Sequence, residues 1–519
     1  MMRKDLKIST HHSRKVGNRT GRLCLALFLM IGLLQGCTLV GPSYRTPETQ
    51  MPDIWQQELA RGLDKGEADL QTWWKAFNDP VLDSLIARAA DGNLDLKGAF
   101  ARIREARARV GVASGEQYPD LNGGGQTDRS RTSDGLRSPG QSSTGNFYSV
   151  GLDSSWEIDF WGRISRSVES AQAGLQASVE DYRDVLVLLY AEIARNYVEV
   201  RKLQARLKYA QANAKAQRQT LRVTKDRFRA EIAPALDVHQ AELNLASTES
   251  LIPSLKIALV QSINRLGVLL GEYPSALHEE LGKIVAIPKP PKQVLVGLPA
   301  NLMRQRPDIR SAERQLASQT ARIGVTTAEL YPAFSLSGTF GLQSTSSSDL
   351  FESGGRYWSF GPQFRWNLFS GGRIRNQIRV EEALTEQALV AYEQAVLNAV
   401  EDVENSMVAY VQEEERRKSL ARSVTAARKS VKLVSQLYKI GLTDFQNLLD
   451  MERSLFQQQD SLAESEGNVT QNLIALYKSL GGGWGEQGLA DAEAAKTEPT
   501  LGEKAKTYWN KGLDTLKVE

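Results

Sequence analysis

Few side chains in this 519-residue sequence are placed for covalent chemistry, and the plainest is a thiol. Cys37 closes the stretch Leu34-Gln35-Gly36-Cys37, behind an apolar run from Leu23 to Leu34 that Arg14, Lys15, Arg19 and Arg22 precede. A basic segment, a run too short to span a bilayer comfortably, and a small residue before cysteine read as an export signal ending in a bacterial lipobox. The expected chemistry is cleavage before Cys37 and acylation of its thiol. Each buried CH₂ of an acyl chain contributes about 0.8 kcal/mol, so a multiply acylated cysteine anchors stably. Residue 38 is Thr rather than the Asp that typically retains such proteins at the inner membrane, so the expected destination is the outer membrane.

Other chemistry finds no foothold. The second cysteine, Cys24, lies in the leader, which leaves no disulfide framework and no CxxC metal site. Beyond the leader only His239 and His278 remain, and no HExxH, nucleophile elbow or phosphate loop occurs. Met51, Met303, Met407 and Met451 are too scattered for a metal path. The expectation is a non-enzyme without cofactor beyond the lipid on Cys37. Residues 1–36 carry seven of the 64 Lys/Arg and one of the 61 Asp/Glu, so the remainder is slightly acidic and a nucleic-acid partner is not supported.

The elements that dominate the chain are rods. From Gly162 to about Arg229 there is no proline, and Val179, Leu186, Ile193, Val200, Leu207, Ala214, Leu221 and Phe228 recur every seven residues. Leu175, Tyr182, Leu189, Leu203 and Ala210 form a second row. This a/d seam specifies a coiled-coil helix that reaches roughly 100 Å at 1.5 Å per residue. Just before it, Val150, Leu152, Trp156 and Ile158 alternate with Gly151, Asp153, Ser155 and Glu157, the period of a strand with one apolar face.

The pattern then repeats. An offset of 210 maps Gly151, Trp156, Gly162, Arg163, Tyr182, Glu242 and Gly271 onto Gly361, Trp366, Gly372, Arg373, Tyr392, Glu452 and Gly481. Upstream the offset is 213, from Gly111-Val112 and Tyr118-Pro119 to Gly324-Val325 and Tyr331-Pro332. The chain is an internal duplication in which each half reads helix, strand, strand, long helix, tight turn, returning helix. In the second half Phe334 to Leu342 alternate, as do Trp358 to Leu368, and the seam resumes through Leu389, Val396, Val403, Tyr410, Val424 and Val431.

Several local readings complete the pass. Val81 to about Gly115 reads as one helix, the Gly/Ser-rich stretch after Pro119 to Asn146 as a loop, and Gln412 to Lys418 as a solvated charged run. Four strands with Trp/Phe-rich apolar faces cannot close on themselves, and open edges are forbidden in hydrocarbon. Outer-membrane barrels start at about eight strands, so closure needs several copies, and three would give about twelve strands.

Several motifs resemble the TolC-type outer-membrane factors, in their lipoprotein (OprM/NodT-like) branch serving resistance–nodulation–division efflux pumps. They are Cys37 in its lipobox, Trp73-Trp74 with Asn78-Asp79-Pro80, the run Trp156 to Arg163, Arg304-Gln305-Arg306-Pro307-Asp308-Ile309, and Asn367-Leu368-Phe369-Ser370-Gly371-Gly372. The resemblance spans roughly Cys37 to Trp484. It implies an α+β membrane protein whose trimeric twelve-stranded β-barrel continues into a periplasmic α-helical coiled-coil barrel. It implies the exit duct of a tripartite efflux system, conducting small molecules from an inner-membrane pump through a periplasmic adaptor to the exterior. The domains expected are a signal peptide at 1–36, a lipidated tether and equatorial segment at 37–80, repeats at 81–272 and 301–484, a linker at 273–300, and a polar tail at 485–519.

The same resemblance places the functional residues at the two hairpin tips, Phe228–Asp237 and Tyr438–Asn447. Asp450 matches a constricting acidic position. Gln446 falls at a second constriction that is apolar in the nearest relatives. Asp237 and Tyr438 match an inter-helix lock whose basic partner would fall at Thr443, which is not basic, so a hydrogen-bonded or hydrophobic closure is expected there. A protein-secretion duct shares the architecture, and a lipid-anchored periplasmic scaffold without a pore is the alternative of a different class.

Overall fold

In the computed structural model the described residues are 39–48, 51–56, 63–66, 70–133, 135, 144–291 and 293–485. Cys37, the leader and nearly all of the expected tail lie outside them. Strands are β1 (Leu63–Lys65), β2 (Asp120–Arg131), β3 (Thr144–Ile158), β4 (Val294–Val296), β5 (Ala333–Ser344) and β6 (Arg356–Arg365). Helices are α1 (Pro80–Gly92), α2 (Leu94–Gly115), α3 (Arg163–Arg229), α4 (Ala235–Leu269), α5 (His278–Leu281), α6 (Leu302–Gln305), α7 (Pro307–Ala328), α8 (Arg373–Lys439) and α9 (Phe445–Ser479).

The duplication keeps exact bounds in four pairs of elements. The bounds of α3 and α4 become those of α8 and α9 on adding 210, and those of α2 and β2 become those of α7 and β5 on adding 213. The same contacts recur as well. The Asn93 amide donates to the Leu269 carbonyl at 2.8 Å, and Arg306 donates to the Ser479 carbonyl at 3.0 Å. Gly271 and Gly481 both take φ above +70°, and a Cβ on either would sit 2.3 or 2.6 Å from the carbonyl oxygen of Gly92 or Gln305.

Two compact units divide the chain. One gathers residues 39–46, 106–175 and 314–389 and contains the antiparallel sheet β2-β3-β5-β6. Leu152, Phe340 and Trp358 share a row on one face, with Ile158, Phe334 and Phe364 in another, while Asn122, Asp153, Thr339 and Ser359 lie on the opposite face. Trp358, Phe360 and Phe364 are exposed on the apolar side. At the sheet's end Trp161 stacks on Tyr331 at 4.5 Å and donates to the Pro332 carbonyl. Asp159 caps α3 by accepting from the backbone of Ile164 and Ser165.

Two expectations for this unit are corrected. Residues 120–131 are a strand, not a loop, because every residue pairs with β3 and the ladder orders a segment whose glycines carry no apolar signal. The alternation through Trp366 and Leu368 is not all strand. β6 stops at Arg365 because its partner β5 begins at Ala333, directly after Pro332, which has no N–H to extend the ladder.

The second unit comprises residues 47–105, 176–313 and 390–485. Leu82, Leu85, Ile86, Ala89, Leu96, Phe100 and Ile103 are buried, as are Tyr182, Leu189, Ile193, Val200, Leu203 and Leu207 of the predicted seam. Trp73 stacks on Tyr477 at 5.4 Å. The helix expected across Val81–Gly115 breaks at Asn93, whose side chain accepts from the Leu96 N–H at 2.9 Å and so opens α2 as a new helix. Within the inter-repeat segment β4 pairs in parallel with β1. The run 412–418 is not simply a solvated face: Glu413 accepts from Ser465 at 2.5 Å and Glu414 pairs with Arg417 at 2.7 Å, both carboxylates largely shielded. Phe228, the last seam residue, is exposed, since the coil ends there.

Candidate functional site

The two hairpin turns are built alike. After α3 the Glu231 N–H bonds the Phe228 carbonyl and Ile232 bonds Arg227; after α8 Gly441 bonds Tyr438 and Leu442 bonds Leu437. These paired bonds are the Schellman closure, which needs a left-handed residue. Gly441 supplies it at φ 78° without strain, whereas Glu231 does so at φ 59° and carries a Cβ.

Around the second turn Tyr438, Phe445, Leu448 and Leu449 are buried with Ala241, and Leu221, Val223 and Val434 pack against them. The Tyr438 and Phe445 rings are 5.6 Å apart. The Tyr438 hydroxyl meets the Thr224 hydroxyl at 3.3 Å. Arg227 places its guanidinium 4.8 Å over the Tyr438 ring and donates to the Tyr438 carbonyl at 2.8 Å. Burial pushes the Tyr438 phenol up, opposed by the Thr224 hydrogen bond and the Arg227 charge. Burial also pushes the Asp237 carboxyl up, with Arg227 opposing and Asp444 reinforcing.

The predicted site residues therefore fall into three groups. Gln446 and Asp450 are neighbours on an exposed stripe of α9, the amide donating to the carboxylate at 3.0 Å. Asn447 donates to Thr443 at 3.1 Å, one turn away. Tyr438 is buried against α3, and no hydrogen bond joins Asp237 to Tyr438 or Thr443 among the described residues. The cation at this tip comes from α3, not from position 443. Sequence reasoning missed Arg227 and Thr224. The signal available was a breach of the repeat, because Arg227 has apolar Leu437 as its duplicate.

Glu452 is the duplicate of Glu242 by the offset, but the pair have diverged. Glu242 is held by Lys225 at 2.8 Å near the surface. The duplicate of Lys225 is Ser435, so Glu452 has no such cation; it is buried and accepts from Thr220 at 2.5 Å. Burial pushes its carboxyl up, and the Thr220 bond opposes the shift. A cavity of about 150 Å³ lies beside it, lined by Thr220, Ser435, Tyr438, Lys439 and Leu448 among others. His239 is exposed, and His278 bonds Asn264 at 2.8 Å. Among the described residues no group of His, Cys, Asp and Glu could hold a metal ion. No described helix is long and apolar enough to cross a membrane.

Known proteins are similar to this chain over most of its length. The nodulation protein T of Rhizobium leguminosarum bv. trifolii is 35% identical over 457 residues, covering 87% of this chain and 96% of that protein. The solvent efflux pump outer membrane protein SrpC of Pseudomonas putida is 31% identical, covering 89% and 98%. The solved structure of the outer-membrane channel OprN superposes with a TM-score of 0.79 at 35% identity, over 86% of this chain and 99% of that one. The family model described as outer membrane efflux protein matches residues 85–272 and 298–482, the two repeats seen in the fold. The chain belongs to the outer membrane efflux protein family, as an efflux exit channel of the outer membrane.

Proposed function

We propose that three copies of this chain close a twelve-stranded barrel and act as the duct through which small molecules leave an inner-membrane resistance–nodulation–division pump, delivered by a periplasmic adaptor. The observation that carries the reading is the sheet β2-β3-β5-β6, apolar with Trp and Phe on one face, polar on the other, with the outer edges of β2 and β6 unpaired among the described residues. Edges of that kind are not tolerated in lipid, and four strands cannot close. Two copies would give about eight strands, whose interior side chains fill, whereas three leave a lumen. The lipobox supports acylation of Cys37 as the anchor in outer-membrane lipid.

The gate in this reading lies at the hairpin tips. Tyr438 is held to α3 by Thr224 and Arg227, a hydrogen-bonded and cation–π latch in place of a salt bridge at Thr443. Gln446 and Asp450 would face the axis, where three like charges narrow the pore and favour cations. Planar-bilayer conductance of the detergent-extracted protein, with its mass determined in parallel, tests both parts. A trimer with small conductance that rises in Asp450→Ala is expected. A monomer that inserts no pore removes the barrel reading, and a trimer whose conductance ignores Asp450 removes the gate assignment alone.

A further inference from the structure

The two hairpins of the sheet are paired in one register. In the first, Gly124 lies opposite Gly151; adding 213 and 210 gives Ser337 opposite Gly361, which is the pair found in the second. The junction between hairpins, β3 with β5, sets Ser155 opposite Ser337 and Trp156 opposite Leu336. The remaining edges are β6 and β2, and they are the duplicates of β3 and β5. We propose that β6 of one copy pairs antiparallel with β2 of the next in the register that this duplication dictates. Gln363 then lies opposite Gln126, Phe364 opposite Gly125, Arg365 opposite Gly124, and Trp366 opposite Gly123.

This inference rests on the oligomeric reading above and adds which residues meet. The faces agree: Gly123 and Gly125 share a side of β2 with Leu152 and Val150, the side on which Phe364 also stands. A slip of one residue would put the β6 aromatics on the polar face, so only even slips compete. Gly123 and Gly125 have a reason in this register. Cross-strand Cβ atoms lie about 5 Å apart, and the missing side chains leave room for Phe364 and Trp366 to lie flat across the junction. Phe364 is 71% and Trp366 51% exposed in the single chain, and a Cβ on Gly123 or Gly125 would meet only the Leu152 side chain or the Ser149 carbonyl, each at an ordinary 3.6 Å. The occupant is a second copy of this chain because β2 carries the complement that β6 lacks.

The test is disulfide trapping on the polar face in the full-length protein in outer membranes. The double variant Gln126→Cys/Gln363→Cys should yield covalent trimer as the dominant product on mild oxidation. Gly124→Cys/Gln363→Cys and Asp128→Cys/Gln363→Cys, each two residues out of register, should yield at least about tenfold less. Each single-cysteine variant should yield no covalent trimer. If a shifted pair traps best, or if a protein that is trimeric by mass traps with none of the three, the register is overturned while the trimer stands. A monomer by native mass would instead overturn the oligomeric reading beneath it.

Discussion

Arg227 reaches across from one hairpin to donate to the backbone carbonyl of Tyr438 at 2.8 Å while its guanidinium covers the ring of the same tyrosine at 4.8 Å. One side chain of α3 thus grips the last turn of α8 by main chain and side chain together. A charged hydrogen bond contributes about 1.5–3 kcal/mol and a cation–π contact about 0.5–2 kcal/mol.

Arg227→Ala should loosen that turn. The expected result is a larger single-channel conductance and faster amide exchange in residues 437–445. Arg227→Lys keeps the charge but loses the planar fork, so it should fall between the two. Parent-like conductance and exchange in Arg227→Ala would show that the grip is incidental.

Asp450→Asn should raise conductance and weaken cation preference, because it keeps the shape and the Gln446 hydrogen-bonding partner while removing the charge. Ion selectivity measured as a reversal potential in a salt gradient reads this directly. A rise in conductance with unchanged reversal potential would assign Asp450 a steric rather than an electrostatic part.

The turns predict a stability difference of opposite sign at duplicate positions. Gly441→Ala places a Cβ at φ 78° and should destabilise its tip by about 1 kcal/mol, while Glu231→Gly removes one at φ 59° and should stabilise by up to about 1 kcal/mol. Amide exchange at the two tips measures each locally.

Glu452 gives a pH dependence. Its folded carboxyl is raised above the ordinary 4.5 by burial, so the folded state binds its proton more tightly than the unfolded state does. Stability therefore falls as pH rises from 4.5 through the raised value, and the full cost persists above it. Glu452→Gln retains an acceptor for Thr220 and removes the charge. Its melting temperature should exceed the parent's at pH 7 and converge with it at pH 4. An equal gain at both values would point to packing rather than ionisation.

The sequence by itself determined the repeat, the two rods and the strand facing, because each is a periodicity: seven for the coiled-coil seam, two for a half-buried strand, 210 and 213 for the duplication. It also located both turns, since the helix seam ends at them and Pro234 and Gly441 disfavour its continuation. Tertiary structure decided what periodicity does not encode. β2 became a strand because β3 supplies its hydrogen bonds, although its glycines look like a loop. Asn93 split a helix that reads as continuous because its side chain bonds both Leu96 and Leu269. Arg227 displaced Thr443 as the partner of the tip, and Glu452 lost the cation its duplicate keeps. The Arg227 and Glu452 outcomes depend on which helix faces which across the repeats, a relation between residues more than 200 positions apart that no local pattern records.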